Sequence, residues 1–279
     1  MSAILDDRSG NGWRMLRADS LLALRELPAE SVDAVITDPP YSSGGAFRGD
    51  RAGASSEKYC KSEADGDGAM INLPEVEGDS RDQRAYLLWC SLWLADCYRL
   101  AKPGAFVAVF SDWRQLSTTI DAVQCGGFVF RGIVPWCKTN PRRAMGRLWQ
   151  EAEFVAWGSK GAMSMDRDAS SGPGRLVGDP LPSFSLEGSP REREHMTEKP
   201  PGVMADLDRQ CVRGGVILDP FAGSGATGVS ATPEGRRFIG IETSLAYYEI
   251  ACRRLAETEA GADRGSLKVG QASLFGGAP

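Results

Sequence analysis

The feature that most constrains this chain lies in its C-terminal third: Leu218-Asp219-Pro220-Phe221-Ala222-Gly223-Ser224-Gly225, followed by Phe238-Ile239-Gly240-Ile241-Glu242. An apolar strand enters a glycine turn, a helix leaves it, and an acid ends the next strand about 20 residues on. That is the mechanical plan of a nucleotide-type cofactor site in an open α/β sheet. Gly223 and Gly225 let the backbone approach a ligand, and Glu242 offers acceptors to two ribose hydroxyls. The spacing lacks the third glycine of the dinucleotide fingerprint, and a cofactor without a pyrophosphate needs no site for one. A merely structural bend would explain the turn but not the distal glutamate.

A second corner, Thr37-Asp38-Pro39-Pro40-Tyr41, follows the short apolar strand Ala34–Thr37. Open α/β sheets place ligands at such strand ends. The two prolines restrict the backbone so that the Asp38 carboxylate and the Pro39 carbonyl address one spot. A planar amino group has two N–H donors, and this corner has two acceptors. Tyr41 adds an aromatic face on which a base can stack. A strand-ending turn is the plain alternative, since Asp-Pro is common in turns; the nearby cofactor pattern argues against it.

Between these corners, strand and helix patterns alternate. Trp13–Arg17 reads as a strand, Asp19 as the cap of helix Ser20–Leu27, and Arg84–Leu100 as a helix with a broad apolar face. Pro103-Gly104 reads as a turn into strand Ala105–Phe110, then come helix Arg114–Gln124 and strands Phe128–Trp136 and Glu153–Trp157. Further on are helix Pro200–Gln210, strand Val216–Asp219, helix Gly225–Thr232, strand Phe238–Glu242 and helix Leu245–Leu255. Ser42–Ser80 and Gly158–Arg193 are rich in Gly and Ser and read as loops. The expected architecture is one doubly wound, Rossmann-like α/β domain with a mostly parallel sheet and a small loop-rich recognition lobe. Its parts are a catalytic half (13–137), a target-recognition region (138–193), a cofactor half (194–256) and a flexible tail (257–279).

Composition excludes some classes. A net charge of −5 argues against a binder whose whole surface is basic, but leaves room for a local basic groove. Seven cysteines without a Cys-x-x-Cys pair, beside a single histidine, point away from zinc and toward buried, reduced thiols. No apolar run approaches the ~20 residues of a membrane span, and Met1–Arg17 lacks a signal pattern, so a cytoplasmic protein is expected.

Together the two corners resemble the amino-methyltransferase family of DNA modification enzymes, in the permuted beta class where the catalytic motif precedes the cofactor motif. Three further matches agree. Glu194-His195-x-Thr197-Glu198-Lys199-Pro200 stands where that class has its methionine-side cofactor motif. Asp19-Ser20 corresponds to its adenine-contacting turn, and Trp136-x-Lys138-x-Asn140-Pro141 to the segment after its catalytic half. The resemblance implies S-adenosylmethionine as cofactor, held by Asp19, Ser20, Asp38, His195, Thr197, Lys199, Asp219, Phe221, Gly223, Ser224, Gly225 and Glu242. It implies a flipped base in DNA as substrate, with Asp38, Pro39, Pro40 and Tyr41 as the catalytic set. In that family an initial Asp goes mostly with adenine N6 and Ser with cytosine N4, so adenine is favoured and cytosine is the alternative.

Several roles stay open. His195 fits a local hydrogen bond better than proton transfer. Lys199 either meets the cofactor carboxylate or forms a solvated pair with Glu198. Trp113 reads as core, with pocket lining as the alternative. Arg48, Arg51, Lys138, Arg142, Arg143 and Arg147 are expected to hold DNA, with Asn140 free to read a base edge. Near the C-terminus Gln271, Leu274 and Phe275 resemble the short peptide by which bacterial proteins hold the sliding clamp. A monomer or homodimer is expected.

Overall fold

Alternation along the central strands decides the layering. Val35, Val107 and Val109 point into one buried cluster, while their neighbours Ala34, Ile36, Phe106, Ala108 and Phe110 point into another. A sheet apolar on both faces must be covered on both. A computed structural model shows how; it describes residues 2–42, 81–139, 148–163, 172–178 and 199–261.

The described elements are β1 (Asp6–Gly10), β2 (Trp13–Arg17), α1 (Ser20–Glu26), β3 (Val32–Thr37), α2 (Gln83–Leu100), β4 (Ala101–Ser111), α3 (Leu116–Cys125) and β5 (Val129–Cys137). They continue with β6 (Ala152–Ser159), β7 (Leu176–Val177), α4 (Pro201–Asp208), β8 (Val216–Asp219), α5 (Ala226–Ala231), β9 (Arg237–Glu242) and α6 (Leu245–Glu259). The strands form one sheet in the order β1-β2-β9-β8-β3-β4-β6-β5-β7. From β2 to β4 neighbours are parallel. Helices α1, α2 and α3 cover one face through Leu24, Trp93, Leu94 and Val123. The other face is covered by α4 through Val203 and Leu207, and by α6 through Tyr248 and Leu255. The chain is thus a Rossmann-like, doubly wound α/β protein.

Four features depart from the sequence reading. β1 pairs antiparallel with β2 across Asn11-Gly12, where Gly12 has φ 84°, a hairpin signal that the reading of this polar segment passed over. Pro103-Gly104 is a bulge inside β4 rather than a turn before it: the register on β3 jumps from Val32↔Ala101 to Ala34↔Phe106. β6 inserts between β4 and β5, antiparallel to both. Gly228 is the third glycine of the fingerprint, three residues beyond Gly225. A Cβ there would lie 2.4 Å from the Phe238 ring, so only glycine lets α5 rest on β9.

Candidate active site

β8 leads outward to β9, whereas β3 leads outward to β4 in the opposite direction, so the winding reverses between β8 and β3. At such a point the C-terminal strand ends open a crevice. Each of the five parallel strands ends in or is followed by an acid: Asp19 after β2, Glu242 on β9, Asp219 on β8, Asp38 after β3 and Asp112 after β4.

On the β8–β9 side the acids meet neutral donors. Glu242 accepts the Gly223 N–H at 2.9 Å and the Ser244 N–H at 2.8 Å. Burial outweighs these bonds and lifts its carboxyl to about 7. Asp219 accepts from the Thr37 hydroxyl at 2.7 Å, the Thr227 hydroxyl at 2.6 Å and the Phe221 N–H at 3.1 Å. Burial lifts it to about 6. Its side chain therefore frames the turn, tying β3, β8 and α5 together. Gly223 (φ 52°) and Gly225 (φ 80°) take left-handed conformations that favour glycine. Asp19 caps α1 through the Leu21 N–H at 2.8 Å, and the Ser20 hydroxyl donates to the Pro220 carbonyl, pinning α1 to the turn. Ser224 is buried and accepts from Arg254 at 2.8 Å. The Phe221 ring packs 5.1 Å from Trp89 and 5.2 Å from Trp93. This set fits a ribose-bearing cation: a glycine turn for close approach, a buried carboxylate for hydroxyls and aromatic surface beside it.

On the β3–β4 side, charge meets charge. Tyr41 donates its hydroxyl to Asp38 Oδ1 at 2.6 Å and lies 3.2 Å from Glu153 Oε2. The buried Lys199 ammonium reaches Asp38 Oδ2 at 2.5 Å and Glu153 Oε2 at 3.6 Å. It sits 5.6, 5.1 and 5.3 Å from the ring centres of Tyr41, Phe110 and Trp136. Lys138 closes the cluster, 2.6 Å from Glu153 Oε1. Burial raises the Asp38 carboxyl, and the Lys199 charge offsets this only in part. Burial also pushes Glu153 up, but the charges of Lys199 and Lys138 outweigh it and hold that acid below its usual range. Burial beside two carboxylates drives the Tyr41 hydroxyl well above its ordinary value, so it stays protonated.

Three placements sharpen the sequence reading. Lys199 is buried against Asp38, not solvated. Lys138 pairs with Glu153 and lies over the Trp136 ring at 5.1 Å, so its charge is already engaged inside the site. Trp113 is 53% exposed rather than core, with the Arg114 guanidinium 5.1 Å from its ring centre. His195, Thr197, Arg48, Arg51, Asn140, Arg142, Arg143, Arg147, Gln271, Leu274 and Phe275 lie outside the described residues. Glu153, Trp89 and Trp93 were missed. Glu153 left one signal, an acid followed directly by the apolar run Phe154–Trp157.

Solved structures share this architecture. The crystal structure of an M1.HpyAVI–SAM complex superposes with a TM-score of 0.59 at 23% identity, covering 87% of this chain and 99% of the other. The cytosine-N4-specific PvuII DNA methyltransferase superposes at 0.63 with 19% identity, covering 93% and 90%. At these identities the likeness is one of fold, and the fold is that of a methyltransferase. Sequence takes the identification further. Residues 32–253 match the N6/N4 DNA methylase family, and the chain belongs to it. It is 27% identical to YubD of Escherichia coli (strain K12) over 91% of this chain and 94% of that protein. To the type II methyltransferase M.HinfI of Haemophilus influenzae it is 28% identical, over 87% and 68%.

Proposed function

We propose that this protein methylates the N6 amino group of adenine in DNA, using S-adenosylmethionine. The observation that carries the reading is the Asp38 corner. A carboxylate whose pKa burial raises accepts from the Tyr41 hydroxyl and pairs with Lys199, one strand from the glycine turn. When bound, the cofactor supplies an electrophilic methyl on a sulfonium. Glu242 would hold its ribose hydroxyls, and Phe221 would line its pocket.

The chain's own residues do the rest. A base that leaves the stack meets Tyr41, with unstacking costing roughly a few kcal/mol. Asp38 and the Pro39 carbonyl accept the amino protons, which draws the nitrogen lone pair out of ring conjugation and aligns it for attack. Asp38 then takes the proton that the methylated nitrogen sheds. The initial Asp of Asp-Pro-Pro-Tyr supports adenine. Cytosine also presents an amino group beside a ring nitrogen, so the same corner could receive it. Arg48, Arg51, Arg142, Arg143 and Arg147 are proposed to hold phosphates, with Asn140 at a base edge.

The test is to incubate the protein with labelled S-adenosylmethionine and unmodified DNA, digest to nucleosides and identify the product by mass. N6-methyladenine is expected. N4-methylcytosine would keep the chemistry and overturn the base; cofactor binding without label in DNA would overturn the substrate.

A further inference from the structure

The acceptor corner holds one carboxylate more than methyl transfer requires. Glu153 belongs to β6, more than 100 residues from Asp38 in sequence, and it touches every other polar member of the cluster except Asp38: Tyr41 at 3.2 Å, Lys199 at 3.6 Å and Lys138 at 2.6 Å. Lys199 itself is enclosed by three aromatic rings. A buried ammonium in such surroundings needs a counter-ion, and breaking a buried pair is strongly destabilising. Asp38 serves only while ionised. Once it accepts the amino proton it is neutral, and Lys199 would be left alone were there no second anion.

We propose that Glu153 is a positioning residue, the standing counter-ion of Lys199, which lets Asp38 lose its charge during transfer without unpairing the buried ammonium. The inference rests on the reading of Asp38 as acceptor of the amino proton. Lys138 clamps Glu153 from the outer side and keeps it anionic. The two acids are displaced in opposite directions, Asp38 upward by burial and Glu153 downward because its two lysines outweigh burial. Environments that separate neighbouring acids in this way divide a proton-accepting role from a charge-holding one. The groups facing Asp38 are Lys199 ahead of α4, Glu153 on β6, its own neighbour Tyr41, and Asp219 on β8, while Asp112 after β4 faces Tyr41.

The experiment is single-turnover methyl transfer to DNA as a function of pH, for the unmutated protein, Glu153→Gln and Lys138→Met, with cofactor binding as the check on folding. In the unmutated protein the rate falls on the acid side as Asp38 becomes protonated. Burial is the main cause of the raised Asp38 pKa and the Glu153 charge adds to it; Glu153→Gln removes that charge, so its acid limb moves to lower pH. Its plateau drops about tenfold or more, because Asp38 is then a weaker base and must serve as counter-ion to Lys199 without Glu153. Lys138→Met withdraws a positive charge and moves the limb the other way. If Glu153→Gln fails to bind cofactor, the direction of the Lys138→Met shift decides. A uniform loss at every pH, or limbs that do not move, would overturn the inference while leaving the methyltransferase reading intact. An unmutated protein that binds cofactor but labels no DNA would overturn both.

Discussion

The two sides of the crevice bury carboxylates by different means. Around Glu242 and Asp219 the partners are backbone N–H groups and threonine hydroxyls, which leave net negative charge in the pocket. Around Asp38 and Glu153 the partners are two lysines, so the cluster balances. A pocket destined for a cationic cofactor gains from uncompensated negative charge. A corner that must hand a proton about gains from balance, because a balanced cluster can change its protonation without stranding a buried ion.

Four substitutions would break or sharpen this contrast. The largest effect is expected from Asp38→Asn. Transfer should fall by about 100- to 10,000-fold in single-turnover assays, while cofactor affinity measured by calorimetry changes little. A parallel loss of cofactor binding would mean that the two sides are not separable. Next is Glu242→Gln. The Glu242 carboxyl stands at about 7, raised by burial, so folding favours its protonated form, and the stability this contributes is lost as pH rises through about 7. Ribose hydroxyls donate to the ionised form, so cofactor binding should tighten over the same rise with release of a proton. Glu242→Gln should weaken binding about tenfold above that pH and flatten the dependence, as titration calorimetry in different buffers would reveal.

A smaller effect is expected from Thr227→Val, which removes a donor from buried Asp219. Stability should drop by about 1–3 kcal/mol in denaturant melts, with transfer by the folded fraction nearly unchanged. The smallest concerns Trp113, exposed beyond β4 at the same end of the sheet. Trp113→Ala should leave the melting temperature in place and weaken DNA binding about fivefold in anisotropy titrations, the low end of one lost base–aromatic stack. A clear fall in melting temperature would restore a packing role.

Much of this was legible because it is local. The apolar runs Ala34–Thr37, Val216–Asp219 and Phe238–Glu242 announce buried parallel strands, and each ends where its acid or turn residue begins. Gly223, Gly225 and Glu242 announce a tight turn facing a distal acid through backbone freedom and spacing alone. Asp38-Pro39-Pro40-Tyr41 carries its geometry in its own prolines. The polar strand β1 lacks any such pattern: it exists by pairing with β2 and is mostly exposed. Position in the sheet was equally invisible for β6, since strand order is set by which edges meet.

The chain's sequence by itself determined the class of fold, the two corners and the residue types proposed to present an amino group to a cofactor, since these depend on spacings of a few residues. Only the tertiary structure decided which charges meet. Lys199 and Glu153 lie 161 and 115 residues beyond Asp38, and Lys138 lies 15 before Glu153, just past the end of β5. Burial brings them within a few ångströms and excludes the water that would otherwise screen them. Pairing across such separations is set by the packing of β6 beside β4 and of the α4 entry against Phe110 and Trp136.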